Sequence, residues 1–147
     1  MSLISTADQQ KLRESFAEMT RLVRLLFFTQ TIDCETCPQA RQILDELPVL
    51  SDKIAIEELN IVLEGDKATQ YGIDRVPAIA IVGQDDSGAE RDSKIRFLGT
   101  PAGYAFISLV RAVLLVGGRG SSLSDPNRTR IAAVKTPVTL RVFTTPT

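Results

Sequence analysis

The chain of 147 residues contains no histidine. That absence removes most Ser–His–acid hydrolase triads and most mixed Cys/His zinc sites in one step. Cysteine is almost as scarce, with only Cys34 and Cys37 present. A four-ligand zinc centre of the usual Cys/His type therefore cannot be built within one chain, which leaves only a site bridged between two subunits. Neither sign of charge is in surplus: 17 Lys and Arg against 18 Asp and Glu give a formal net charge of −1. No basic stripe suits nucleic acid. Long apolar runs are missing too. The longest, residues 105–116, is interrupted by Ser108 and Arg111 and is too short to cross a bilayer.

The opening Met1-Ser2-Leu3-Ile4-Ser5 turns polar by Asp8, without a basic stretch followed by an apolar one. The expectation is a chain without a secretory signal, whose two cysteines sit in a reducing cytoplasm. No Gly-x-Gly-x-x-Gly follows a strand, so no bound flavin or nicotinamide is expected. The glycines of residues 117–122 lack the Lys and following Ser or Thr of a phosphate loop and read as a flexible linker.

What is present is ordinary globular composition, 44% hydrophobic and 24% charged. This is enough for one domain with room for part of a second. Leu12, Phe16 and Met19 recur at helical spacing and predict a helix over residues 7–20. The apolar run from Leu22 to Thr29 predicts a strand buried on both faces. A turn through Thr31, Ile32 and Asp33 leads to the cysteines, and a helix over residues 36–47 would carry Ala40, Ile43, Leu44 and Leu47 inward, with Pro38 tolerated in its first turn. Residues 53–60 form a second strand and residues 65–71 a short helix stopped at Gly72. Residues 78–82 and 94–98 then pair across a turn at Asp85-Asp86-Ser87-Gly88, before a last helix over residues 101–116. The order α-β-α-β-α-β-β-α implies an α/β, thioredoxin-like fold: a mixed four-stranded sheet with helices on both faces. The domain then covers residues 1–117, with a linker at 118–123. Residues 124–147 follow as a Ser124-capped helix over residues 125–134 and a strand over residues 138–144.

Cys-x-x-Cys between a strand and a helix is the catalytic candidate with which nothing else in the chain competes. Backbone N–H groups at a helix N-terminus favour a thiolate, and a second thiol one turn on can resolve a mixed disulfide. Cys34 at the exposed mouth is the expected nucleophile and Cys37, deeper, the resolving thiol. Incidental core cysteines remain the plain alternative. Asp33 and Glu35 flank Cys34 with no cation beside them, and like charge opposes the thiolate. A reducing couple is expected, on the order of −270 to −200 mV. Pro77 opens an apolar strand, where its missing N–H costs no ladder bond. Glu57 and Glu58 lie in the second strand and read first as surface carboxylates, with a proton relay to the resolving thiol as the sharper alternative.

These residues resemble the protein disulfide oxidoreductases built from two fused thioredoxin- or glutaredoxin-like units. The N-terminal domain of alkyl hydroperoxide reductase flavoproteins is a related arrangement. The matching runs are Phe27-Phe28-Thr29 through Cys37, Tyr71-Gly72-Ile73-Asp74-Arg75-Val76-Pro77-Ala78, and Arg96-Phe97-Leu98-Gly99-Thr100-Pro101-Ala102-Gly103-Tyr104-Ala105-Phe106. Residues 137–147 look like the strand that leads to the family's second Cys-x-x-Cys, and no such pair follows here. The resemblance implies a cis-Pro77 facing the disulfide, with Val76 offering its backbone to an extended substrate and Thr36 and Gly99 on the same surface. It implies disulfide-containing protein substrates, electrons from an NADPH-dependent reductase, and a thioredoxin-reductase-like or peroxiredoxin partner. A redox-weak docking or scaffold role for a half-molecule is the rival reading. The unpaired tail strand suggests docking on a sheet edge, or a homodimer formed by exchanging it.

Overall fold

The computed structural model describes residues 2–145. Its elements run α1 (Thr6–Phe16), β1 (Val23–Thr29), α2 (Cys37–Asp45), β2 (Ile54–Asn60), α3 (Gly65–Gln70), β3 (Ala78–Gln84), β4 (Glu90–Leu98), α4 (Tyr104–Val116) and α5 (Asp125–Ala132). The strands form one sheet in the order β2-β1-β3-β4. β1 and β2 are parallel, Phe27 opposite Glu58, while β3 runs antiparallel to β1 and to β4. The expected α/β order and mixed sheet are both present.

β1 sits at the centre because its sequence leaves both faces apolar. Leu25 and Phe27 enter a core closed by α1, α2 and α4, where Phe16, Leu44, Leu109 and Val113 are also buried. Leu26 and Phe28 face a smaller core with Leu59, Ala68, Ile73 and Ala80 under α3. Each such side chain removed from water contributes about 1.5–3 kcal/mol toward holding the layers together. Gly83 lets α4 close down on the sheet, since a methyl there would run into Val116.

Several boundaries differ from the sequence expectation, each for a local reason. α1 ends at Phe16, four residues early, because Phe16 and Met19 must both turn into the core and the Thr20 and Arg21 N–H groups donate to Gly117 O. α2 ends at Asp45, although Leu47 stays buried through a turn closed by its N–H on Leu44 O. β4 begins at Glu90, four residues early. The Asp85 carboxylate accepts from Ser87 N (2.8 Å) and Ala89 N (3.0 Å), so the hairpin closes tightly and pairing starts at Gln84 and Glu90. α4 starts only at Tyr104, after a turn in which Ala102 N–H donates to Thr100 O.

The tail departs most. Ser124 caps α5 as expected, accepting from Asn127 N, but the helix ends at Ala132 and buries none of its residues. Residues 138–144, expected as a strand, have no place in the sheet, and Val138, Leu140 and Val142 are exposed. Alternation of apolar residues marks a face, whereas a strand also needs a partner to bond. Pro146 and Thr147, the last residues of that expected unit, lie outside the described residues.

Candidate active site

β1 ends at Thr29 and delivers the chain to a loop beyond the carboxyl end of the strand, in which Asp33 takes a left-handed backbone (φ 58°). Short polar Asp tolerates that region better than most residues. Cys34 follows in the loop and α2 begins at Cys37, with Thr36 as its cap, so the helix opens three residues after Cys34. The two cysteines form a disulfide with Cα atoms 5.5 Å apart. The Cys34 sulfur therefore still lies at the helix mouth, bonded to the first helical residue. Cys34 is half-buried, less open than expected, and Cys37 is buried, so Cys34 is the more accessible of the two.

The parallel and antiparallel directions gather the other expected residues at the same end of the sheet. Ala78 pairs with Phe28, so Pro77 precedes β3 where β1 runs out toward the disulfide. The Val76–Pro77 peptide is cis. Pro77 is buried, Val76 half-buried, and Thr36 and Gly99 are exposed. Gly99 N–H donates to Pro77 O at 2.9 Å, which ties the end of β4 to the proline. The backbone groups of Val76 enter no hydrogen bond among the described residues.

The loop between α3 and Pro77 is braced at Gly72, the expected helix stop, and by Arg96, Tyr71 and Asp92, whose contacts the sequence did not show. Gly72, at φ 67°, closes α3, and Ile73 N–H returns to Ala68 O. Arg96 on β4 donates from Nε to Tyr71 O (2.9 Å) and from Nη1 and Nη2 to both oxygens of Asp92 (2.9 and 2.7 Å). Its guanidinium also lies 5.5 Å from the Tyr71 ring centroid. The Arg96 bonds hold the Asp92 carboxyl down at about 2, with the Lys94 N–H adding to the effect against partial burial. At the rim, Arg75 is paired with Asp74 at 2.8 Å and holds its carboxyl below the usual range.

A cleft of about 690 Å³ opens beside the disulfide. It is lined by Thr29, Gln30, Thr31, Cys34, Cys37, Pro38, Arg41, Glu58, Asn60 and Glu64. Val76, Pro77, Thr36 and Gly99 do not border it. Glu58 thus comes beside the cysteines as an ion partner of Arg41, and neither it nor Glu57 is buried. Glu57 instead pairs with Arg24 and Lys67. Arg41 was legible only as the residue one turn after Cys37, on the same helical face.

No protein-family model matches the chain. It is 37% identical over 70 residues to a probable thioredoxin of Methanothermobacter thermautotrophicus, covering 47% of this chain and 71% of that protein. A probable thioredoxin of Methanothermobacter marburgensis is 36% identical over 81 residues, covering 54% and 82%. Among solved structures, the alkylhydroperoxide reductase AhpF from Enterococcus faecalis superposes with a TM-score of 0.77 at 30% identity, over 90% of this chain and 61% of that one. A protein disulfide oxidoreductase from Aeropyrum pernix gives 0.73 at 23% identity, over 89% and 55%, a likeness of fold. The chain thus spans little more than half the length of those two larger proteins. With a strand-to-helix Cys-x-x-Cys disulfide and relatives this similar, the chain belongs to the thioredoxin family of thiol–disulfide oxidoreductases.

Proposed function

We propose that Cys34 is the attacking thiol and Cys37 the resolving thiol in the reduction of protein disulfides. The Cys34 thiolate attacks one sulfur of the substrate, forming a mixed disulfide and expelling the first substrate thiolate. Cys37, deprotonated, then attacks the Cys34 sulfur and expels the second. Two electrons pass to the substrate, whose two thiolates take up protons, and the Cys34–Cys37 disulfide is what remains on the enzyme. The observation that carries this reading is the unequal burial of two bonded sulfurs at a helix mouth.

Val76, Pro77, Thr36 and Gly99 form the substrate-facing wall in this reading. The unbonded N–H and C=O of Val76 suit an extended segment laid alongside as an added strand. An NADPH-dependent, thioredoxin-reductase-like enzyme returns the pair to the dithiol, and a peroxiredoxin is a fitting acceptor. Residues 1–117 act as the working unit in a cytoplasmic setting. Residues 124–147 are the start of a second unit, and the exposed tail pairs two copies of the chain. No helix among the described residues is long and apolar enough to cross a membrane.

Reduction of insulin by dithiothreitol tests the roles. Cys34→Ser should bring turnover down to the uncatalysed rate, while Cys37→Ser should accumulate a mixed disulfide at Cys34 visible by mass spectrometry. Equal rates for the unaltered chain and Cys34→Ser would return the chain to a docking role.

A further inference from the structure

The cleft beside the disulfide has a charge that the attack of Cys34 does not require. The one cation among its described lining residues, Arg41, is already engaged: it pairs with Glu58 inside the cleft and with Asp45 (3.3 Å) along α2. Glu64 is different. Its carboxylate is half-buried and is fixed by the Asn60 backbone N–H at 2.8 Å. Lys67, the cation that feels its charge, is held by Glu57 at 2.8 Å, and Glu64 forms no ion pair among the described residues. The loop that carries it is held as well, since Asn60 Oδ1 accepts from Val62 N (2.9 Å) and Leu63 N (3.0 Å). The cleft therefore keeps net negative charge on a fixed frame, with both cysteines in its wall.

The mouth adds to that field. Asp33 and Glu35 flank Cys34, are exposed, and form no ion pair among the described residues. Arg75, on the rim near Pro77, is paired with Asp74, a carboxylate that Arg141 of the tail also acts on. A disulfide brought to Cys34 thus meets a concave polar surface carrying surplus carboxylate. Concave, low-dielectric walls of one sign concentrate ligands of the other.

We propose that this cleft seats a basic side chain carried next to the substrate's own disulfide, so that the enzyme selects cationic disulfide segments over anionic ones. This rests on Cys34 being the attacking thiol. Glu64 is the fixed counter-charge, with Glu35 and Asp33 steering at the mouth. The amide and hydroxyl groups of Gln30, Thr31 and Asn60 leave room for a lysine or arginine head to keep hydrogen-bond partners.

The test uses the reduced full chain and two cyclic disulfide peptides, identical except for Lys or Glu beside each cysteine. The Lys peptide should be reduced about tenfold faster at low ionic strength. That ratio should shrink as salt rises past the point where the screening length falls to about 10 Å. Glu64→Gln, which keeps the acceptor for Asn60 N–H, should lower the ratio by roughly threefold, the effect of one solvated charge pair. Glu35→Gln should lower it further. Any change these variants make to thiolate strength acts on both peptides alike and cancels in the ratio. Equal rates for the two peptides in the unaltered chain, or a ratio insensitive to both salt and Glu64→Gln, overturn the proposal. Failure to reduce either peptide would instead overturn the underlying role of Cys34.

Discussion

Replacing Arg96 with methionine isolates what the brace on the Pro77 loop is worth. Methionine keeps an apolar stem against Tyr71 and removes the charge. The loss has two parts. Asp92 sits at about 2 against an ordinary 3.8, a gap worth roughly 2.4 kcal/mol at 1.36 kcal/mol per unit. Arg96 and Asp92 keep 20% and 19% of their side-chain surface in solvent, and the Lys94 N–H supplies part of the effect. The Arg96 share is therefore about 1–2 kcal/mol. The bond to Tyr71 O adds about 1 kcal/mol. Arg96→Met should cost about 2–3 kcal/mol in urea unfolding followed by circular dichroism with the disulfide intact.

The pH dependence separates this ion pair from mere packing. A carboxyl whose folded pKa is depressed contributes stability above its unfolded value, and that contribution drains away as pH falls from about 3.8 toward 2. The unaltered chain and Arg96→Met should therefore differ most near neutrality, and in acid the gap should narrow to the roughly 1 kcal/mol of the Tyr71 bond. Arg96 acts through the Tyr71 carbonyl on the loop that ends in Pro77, so it is a positioning residue. Its loss should lower kcat/KM several-fold for insulin and leave a small aromatic disulfide, which needs little of the wall, nearly unaffected. A stability gap that persists unchanged in acid would refute the assignment, as would equal losses on both substrates.

Two further outcomes follow from the packing and the tail. Gly83→Ala should destabilise by about 1–3 kcal/mol in the same unfolding assay, because its methyl meets Val116 on α4, whose β-branch strongly favours one rotamer in a helix; an unchanged midpoint would mean α4 sits farther from the sheet. If the tail pairs two copies, sedimentation of the full chain should show a dimer that vanishes when the chain is cut after Val134, and a monomer in both cases would sink the pairing.

Most of the sheet was legible because its signals are local. β1 reads as central from seven residues, since Leu25, Leu26, Phe27 and Phe28 are consecutive and only a strand covered on both sides accepts that. Gly72 and Ser124 announced helix ends through backbone conformation and a side-chain cap, and both are found in those roles. The helix boundaries failed where tertiary ties override periodicity, as with Thr20 and Arg21 bound to Gly117, a residue nearly a hundred positions away. The tail failed for a different reason. Val138, Leu140 and Val142 alternate correctly for a strand, but pairing is a property of two segments and the sequence shows one.

The cleft could not have been read from spacing, because each of its charges comes from a different element. Arg41 reaches Glu58 only because α2 crosses above the register that sets Glu58 beside Phe27. Glu64 joins them only because Asn60 turns the chain back after β2. This arrangement also decides which charge a substrate meets beside the disulfide. The strand pair Phe28 and Leu59 is apolar and buried, and no polar or charged side chain is buried among the described residues. Cys37 shares the cleft wall with Glu58, which Arg41 neutralises, and with Glu64, which has no ion pair among the described residues. Glu64 would then be the carboxylate that draws in a substrate whose basic residue arrives beside its disulfide.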